Sequence, residues 1–258
     1  MKGLKSSCII LFNRILRMLE RLLPVPMLLA VCIPLAWFLA LFGVSRKKTL
    51  IQSYRSYFHK LLPVFSARLA EDKWLDRCEV HMSDEYSADV AAGKKVVFVF
   101  LHEGSYRLLP YWLRAIGIRA SVIIKCKAAR RKKHRRWRDQ RDLFPEQKTV
   151  WGRDELKRFL NVLDQGGSLL LAIDVDIGNV ETITLSDGRE AIIPSGAFRV
   201  AEKHSCVLYP CGLVSKGFWK FRLQIGNRYT GDKAKLMDNL FETCEVTDLN
   251  ELSFLRVK

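Results

Sequence analysis

The most constraining feature of the sequence is a short apolar run that ends abruptly at a histidine. Residues 96–101 read VVFVFL, and His102, Glu103 and Gly104 follow them. An apolar run of this length, rich in Val and Phe and closed by a glycine, predicts a buried β-strand. Apolar residues then return with helical spacing from Leu108 to Ile116. The pattern therefore predicts a strand, a turn and a helix, with the histidine at the carboxyl end of the strand.

Its position at a strand end gives His102 a chemical role. In open α/β sheets, ligands bind beside the carboxyl ends of the strands. An imidazole accepts protons near neutral pH, so it can take the proton of an attacking hydroxyl group. We therefore predict that His102 is a general base.

The residues of this turn resemble a known motif. His102, Gly104 and the apolar residues after them are similar to H-x-x-x-x-[DE], the first motif of the lysophospholipid acyltransferase superfamily. The nearest branch is the bacterial lipid A (lauroyl/myristoyl) acyltransferases, whose version resembles H-x-G-N-W-E. Ser105 and Tyr106 stand in place of Asn and Trp. The resemblance implies an acyltransferase in which the histidine is the catalytic base.

Arg107 departs from this motif, because it stands where the family has its carboxylate. In the family the acid orients the imidazole and stabilises its protonated form, whereas a cation disfavours imidazolium. Three alternatives follow. Glu103 takes over the acid's role beside His102, or the chemistry is impaired, or the protein binds its ligand without turnover.

Two later segments extend the resemblance. Residues 168–178 run from an apolar strand into a sequence similar to D-Q-D-x-G, with Val175 in place of Gln. Residues 191–202 are similar to P-x-G-x-x-x-x-A, where a turn opens a helix near the acyl site. The carboxylates of the first segment either orient substrate or cap a turn, and the helix start of the second could hold an anion or an oxyanion. We predict substrate binding by Gly104, Arg107, Arg138, Asp174, Asp176, Ser195, Gly196 and Arg199.

The N-terminal part of the chain is apolar. Residues 1–21 look like a basic amphipathic helix, and residues 22–45 contain no charged residue, which is long enough to cross a bilayer. Three prolines disfavour a straight helix, so a pair of buried core helices is the alternative. We predict a membrane-anchor segment over 1–48 and an acyltransferase-like α/β domain over 49–258.

Positive charge is concentrated in one run. The net charge is +16, from 43 Lys and Arg against 27 Asp and Glu, and residues 125–141 hold ten of the cations. This run is either a solvated face or a surface for an anionic bilayer, a lipid phosphate or an acidic acyl carrier. Nucleic acid is a third, weaker reading, because it explains neither the apolar N-terminus nor the His102 turn. The seven cysteines are scattered and predict neither a disulfide framework nor a metal site.

Together these features predict an α/β fold with a mixed central sheet flanked by helices, of the glycerolipid acyltransferase type. Beyond the first strand, the patterns predict strands at 120–124, 168–173, 206–213 and 218–225 and a helix at 151–163, with only weak patterning after Gly226. We expect a monomer, and the resemblance implies a location on the cytoplasmic face of the inner membrane. It also implies transfer of an acyl chain from acyl carrier protein or acyl-CoA, without a cofactor, to a hydroxyl group of a lipid A type or related glycolipid. A catalytically impaired binder of anionic lipid or acyl carrier is the alternative.

Overall fold

The computed structural model describes most of the chain after residue 77 and a short part before it. The chain divides into two compact units, residues 1–71 and 72–258, and each is described by itself. The described residues are 25–43, 50, 78–124, 147–149, 153–175, 179–217, 220–246, 252 and 255–257.

The first unit contributes helix α1, Val25–Gly43, with Pro34 inside it. Its small residues Ala36 and Ala40 are buried, whereas four large apolar side chains are exposed: Met27, Trp37, Phe38 and Leu41. Within the described part of the chain, no helix combines the length and apolar character needed to cross a bilayer. The membrane anchor therefore stays a prediction, and most of residues 1–48 lie outside the described residues.

The second unit is built on a seven-stranded mixed sheet, as the sequence predicts. Its strand order is β1-β9-β8-β2-β5-β3-β4. Strands β8, β2, β5, β3 and β4 are parallel to one another, and β9 pairs antiparallel with β8 and parallel with β1. The bounds are β1 Cys78–Met82, β2 Val96–Phe100, β3 Ala120–Ile124, β4 Gln147–Thr149, β5 Ser168–Ala172, β8 Val207–Gly217 and β9 Lys220–Ile225.

Helices cover both faces of this sheet, which is why β2 is buried along its whole length. On one face, Val97 and Val99 pack in a core with Phe159 and Leu163 from one helix and further side chains from two others. On the opposite face, the ring centroids of Tyr86 and Phe98 are 5.7 Å apart. Those of Trp112 and Phe221, a residue of β9, are also 5.7 Å apart. The helices are α2 Asp84–Ala91, α3 Leu109–Ala115, α4 Arg153–Asp164, α5 Gly196–His204 and α6 Lys233–Thr243.

A second, three-stranded antiparallel sheet lies outside the main one. It contains β6 Val180–Thr184, β7 Glu190–Pro194 and β10 Arg256–Val257, in the order β10-β7-β6. Strand β6 ends at Thr184, and the chain turns over the next five residues into β7. Helix α5 starts directly after β7, which agrees with the predicted turn into a helix.

Besides strands β1 and β4, the sequence analysis missed helix α6. Its start is capped by Asp232, whose side chain accepts a hydrogen bond of 3.1 Å from the backbone N–H of Lys235. Leu236, Met237 and Leu240 are buried on one face of it. Three apolar residues among charged neighbours are a weak periodic signal, so the helix depends on its packing against the core rather than on strong local patterning.

A buried carboxylate ties several elements of the second unit together. Asp89 of α2 is 4% exposed and accepts hydrogen bonds from Lys94 Nζ at 2.7 Å, Tyr209 Oη at 2.6 Å and Arg228 Nη1 at 3.0 Å. The Lys94 ammonium, followed by the Tyr209 hydroxyl, lowers the pKa of Asp89 to about 2. The charged form of this carboxylate therefore stabilises the fold.

We predict that Asp89→Asn lowers the free energy of unfolding by about 2 kcal/mol at neutral pH, because it leaves cationic donors without their acceptor. A carboxylate with a depressed pKa contributes stability above its unfolded pKa of about 4, and that contribution is lost as the pH falls toward 2. Urea unfolding at pH 7 and pH 3 should show the difference from wild type shrinking at pH 3. The control is Asp187→Asn, which removes an exposed pair with Arg189 and should change the free energy of unfolding much less, because solvent screens exposed ion pairs. A constant difference between the two pH values would contradict the prediction.

Candidate active site

Strand pairing brings His102 and Asp174 side by side. Strands β2 and β5 are parallel neighbours, and Phe100 is paired with Ala172. His102 lies two positions after Phe100, and Asp174 lies two positions after Ala172. Residues equally far beyond the ends of two parallel strands meet at the same edge of the sheet. The site therefore lies at the carboxyl edge, where the sequence analysis expected it.

Both carboxylate oxygens of Asp174 bind the same residue. Oδ1 lies 2.7 Å from Nδ1 of His102, and Oδ2 accepts the backbone N–H of His102 at 2.6 Å. The Asp174 side chain is 2% exposed and the His102 side chain is 22% exposed. A carboxylate accepts hydrogen bonds, so Nδ1 carries a hydrogen and Nε2 is left with the lone pair. This arrangement provides a base whose tautomer is set by a buried acid.

The turn after His102 is docked on strand β8. Gly104 has φ of +57°, a left-handed conformation that glycine adopts without strain. A Cβ atom at this position would lie 3.1 Å from the Leu213 carbonyl oxygen. The same oxygen accepts the backbone N–H of Ser105 at 3.2 Å. Gly104 therefore serves the backbone of the turn, a role that differs from the substrate binding predicted for it from the sequence.

The C-terminal end of α6 packs behind this turn. A Cβ atom on Gly212 of β8 would lie 2.8 Å from the Thr243 carbonyl oxygen and 2.9 Å from Cys244 Sγ. Burial raises the pKa of the Cys244 thiol to about 12, although a hydrogen bond with the Leu101 backbone opposes the shift. The thiol is therefore a packing group near the site and not a thiolate nucleophile.

The carboxylate partner of the histidine differs from the one that the sequence suggested. Asp174 was predicted to bind substrate, but both of its oxygens are bound to His102, so we assign it the role of orienting the imidazole. Glu103 was predicted to replace the missing acid. It is partly exposed, and its carbonyl oxygen accepts the backbone N–H of Tyr106 at 3.3 Å. The imidazole therefore has an acidic partner in Asp174, and the role predicted for Glu103 stays a prediction.

The contacts of the other predicted site residues do not test their role in substrate binding. Ser195 precedes α5, but its side chain makes no capping bond; its Oγ donates to the Asn179 carbonyl oxygen at 3.1 Å. Gly196 and Arg199 are exposed on the first part of α5. These roles in substrate binding stay predictions. Three predicted features lie outside the described residues: the Arg107 side chain, Asp176, and Arg138 with most of the basic run around it.

Comparison with known proteins gives one solved structure of interest. No family model matches the chain, and no curated protein matches it. The crystal structure of the 1-acyl-sn-glycerophosphate (LPA) acyltransferase PlsC from Thermotoga maritima is similar to it at 14% sequence identity, with a TM-score of 0.38. The match covers 91% of this chain and 94% of that chain. A TM-score this low does not establish a common fold, so function has to be inferred from the site itself.

We predict that Gly104→Ala destabilises the protein more than a matched substitution elsewhere. Gly93 also has positive φ, +71°, but a Cβ atom there would meet nothing within 4 Å. Each change should cost about 1 kcal/mol for the left-handed backbone, and Gly104→Ala should cost more because Leu213 must move. Denaturant unfolding of both variants measures the difference. Equal losses would show that the contact with β8 tolerates a methyl group.

Proposed function

We propose that this protein is a membrane-associated acyltransferase that moves a fatty acyl chain from acyl carrier protein or acyl-CoA to a hydroxyl group of a lipid. The observation that carries the proposal is the hydrogen-bonded pair of His102 and Asp174 at the carboxyl edge of the sheet. The resemblance of the His102 turn to the acyltransferase motif supplies the reaction class. The objection from Arg107 loses its force, because a carboxylate reaches the imidazole from the neighbouring strand.

The geometry suits general base catalysis followed by general acid catalysis. Nε2 of His102 takes the proton of the acceptor hydroxyl while its oxygen attacks the thioester carbonyl carbon. The carboxylate of Asp174 stabilises the imidazolium that forms. When the tetrahedral intermediate collapses, the carbon–sulfur bond breaks and the leaving thiolate takes the proton back from Nε2. This cycle needs no covalent acyl-enzyme, and the base contributes about 10²–10⁴-fold to the rate.

The proposed substrates and location follow from charge and hydrophobicity. The net charge of +16 favours phosphorylated lipids, an anionic bilayer surface and an acidic carrier protein. The charge-free N-terminal segment and the exposed apolar side chains of α1 favour contact with lipid on the cytoplasmic face of the inner membrane. The resemblance to the lipid A branch favours a lipid A type or related glycolipid as the acceptor.

The competing proposal, a family member that binds without turnover, is less well supported. It was motivated by the missing motif acid, which would leave the imidazole without an orienting partner. A buried Asp174 with both oxygens on His102 supplies that orienting partner, which removes the reason for assuming an impaired site. The pair therefore favours catalysis.

We predict that His102→Ala and Asp174→Asn each lower kcat/KM for acyl transfer by about 100-fold or more. The amide would still fill its site, but it cannot stabilise the imidazolium and favours the wrong tautomer. Acyl transfer by purified full-length chain in detergent or vesicles measures the effect, with circular dichroism and unfolding curves to confirm that both variants fold.

Two further variants sharpen this test. Glu103→Gln should change kcat/KM by only a few-fold, and Arg107→Glu should not raise it, because Asp174 already supplies the acid. A large loss in Glu103→Gln together with full activity in Asp174→Asn would assign the acid to Glu103. A gain in Arg107→Glu would indicate a site that had lost its acid.

We predict that the acceptor is a phosphorylated glycolipid. The experiment crosses two donors, acyl carrier protein and coenzyme A thioesters, with two acceptors, a glucosamine-based phosphorylated glycolipid and a lysoglycerophospholipid. Product formation on the glycolipid, lost in His102→Ala, is the expected result. Transfer only to the glycerophospholipid would keep the reaction class and replace the acceptor. No transfer in any combination would contradict the proposed function.

A further inference from the structure

The His102 ring packs against two aromatic side chains and is hydrogen-bonded to Asp174. The Tyr106 ring lies edge-on to it with centroids 4.7 Å apart and an interplanar angle of 71°. The Phe100 ring lies 5.4 Å from it at 49°. Phe100 and Tyr106 are stacked on each other with centroids 6.2 Å apart and an angle of 22°. The three rings form one cluster at the end of β2.

The hydrogen bond to Asp174 does not by itself fix the plane of the imidazole. The terminal torsion of a histidine side chain has a broad energy profile, and one N–H to carboxylate bond tolerates tens of degrees of tilt. Two flat neighbours that both contact the ring restrict that freedom sterically. Aromatic pairs prefer particular ring geometries, so these contacts favour one orientation of the imidazole.

Tyr106 itself is held firmly by its backbone. It is the first residue of the 3₁₀ turn Tyr106–Leu108, and its N–H donates to the Glu103 carbonyl oxygen. The preceding residue, Ser105, is buried and donates its N–H to Leu213 of β8. Phe100 is 6% exposed and belongs to the central strand. Phe100 is therefore attached to the central sheet, and Tyr106 is attached to a turn that is hydrogen-bonded to β8.

We infer that Tyr106 is a positioning residue whose ring fixes the plane of the His102 imidazole so that Nε2 is presented to the acceptor hydroxyl. This inference deepens the proposed acyltransferase function and rests on it. Asp174 sets the tautomer and the direction of Nδ1, and Tyr106 sets the remaining rotation. A misplaced base lowers the rate without weakening substrate binding. The aromatic ring, and not the phenol hydroxyl, carries the effect.

The test compares Tyr106→Phe with Tyr106→Leu. Tyr106→Phe keeps the ring and should leave kcat within about twofold of wild type. Tyr106→Leu keeps apolar bulk but loses the ring, and it should lower kcat by about tenfold or more with KM unchanged. The control is Tyr229→Leu, which removes a ring from a similar edge-on pair with Phe198, 5.4 Å between centroids, outside the His102 cluster. It should leave kcat unchanged once the folded fraction is matched.

A second measurement does not depend on acyl transfer. Imidazole resonances of histidine-labelled protein are assigned to His102 by their loss in His102→Ala. Relaxation dispersion then reports exchange of the ring on the μs–ms timescale. Tyr106→Leu should add exchange to the His102 signal, and Tyr106→Phe and Tyr229→Leu should not.

Two outcomes would overturn the inference. One is an unchanged kcat together with an unchanged His102 relaxation profile in Tyr106→Leu. The other is a loss in Tyr106→Phe as large as that in Tyr106→Leu, which would transfer the role to the hydroxyl. A wild-type protein that transfers no acyl group would contradict the proposed function instead, and the relaxation data would still show whether Tyr106 holds the ring.

Discussion

The site depends on one buried carboxylate that binds one residue twice. Asp174 accepts a hydrogen bond from the backbone of His102 with one oxygen and from its ring with the other. Removing a carboxylate from water costs several kcal/mol unless its oxygens are hydrogen-bonded, and here each oxygen has a short contact with an N–H donor. The backbone contact fixes the position of the His102 main chain, and the ring contact fixes the direction of its side chain. In the proposed reaction, the negative charge of Asp174 also stabilises the imidazolium that proton transfer creates.

This pairing changes how the departure at position 107 is understood. A motif describes residues along one segment, so Arg107 in place of an acid indicates a lost function when the motif is considered alone. The active-site geometry requires only that some carboxylate reaches Nδ1 of the histidine. Here the acid comes from the residues after a neighbouring strand, 72 positions away in the chain. Function can persist through such a replacement because the imidazole responds to the position of the charge and not to its place in the sequence.

Five strands of the main sheet and helices α3, α4 and α5 could be predicted because their signals are local. Strand β3 has the predicted bounds, Ala120–Ile124, and His102 lies at the expected strand end. The partnership of His102 with Asp174 could not be predicted, since it requires knowing that β2 and β5 are neighbours in register. Asp174 was identified as a site residue from a motif, but its role follows only from the strand order. Helix α6 was missed because it has few apolar residues, and the core against which they pack is not visible in the sequence.

The contact between His102 and Asp174 depends on sheet register, because the two residues follow different strands. A slip of one residue between β2 and β5 would turn every side chain of one strand to the opposite face and would separate Asp174 from His102. The alternating core prevents this slip, because Val97 and Val99 pack with Leu169 on one face of the sheet while Phe98 faces the other. The same apolar residues that make β2 recognisable in the sequence therefore also hold His102 and Asp174 together.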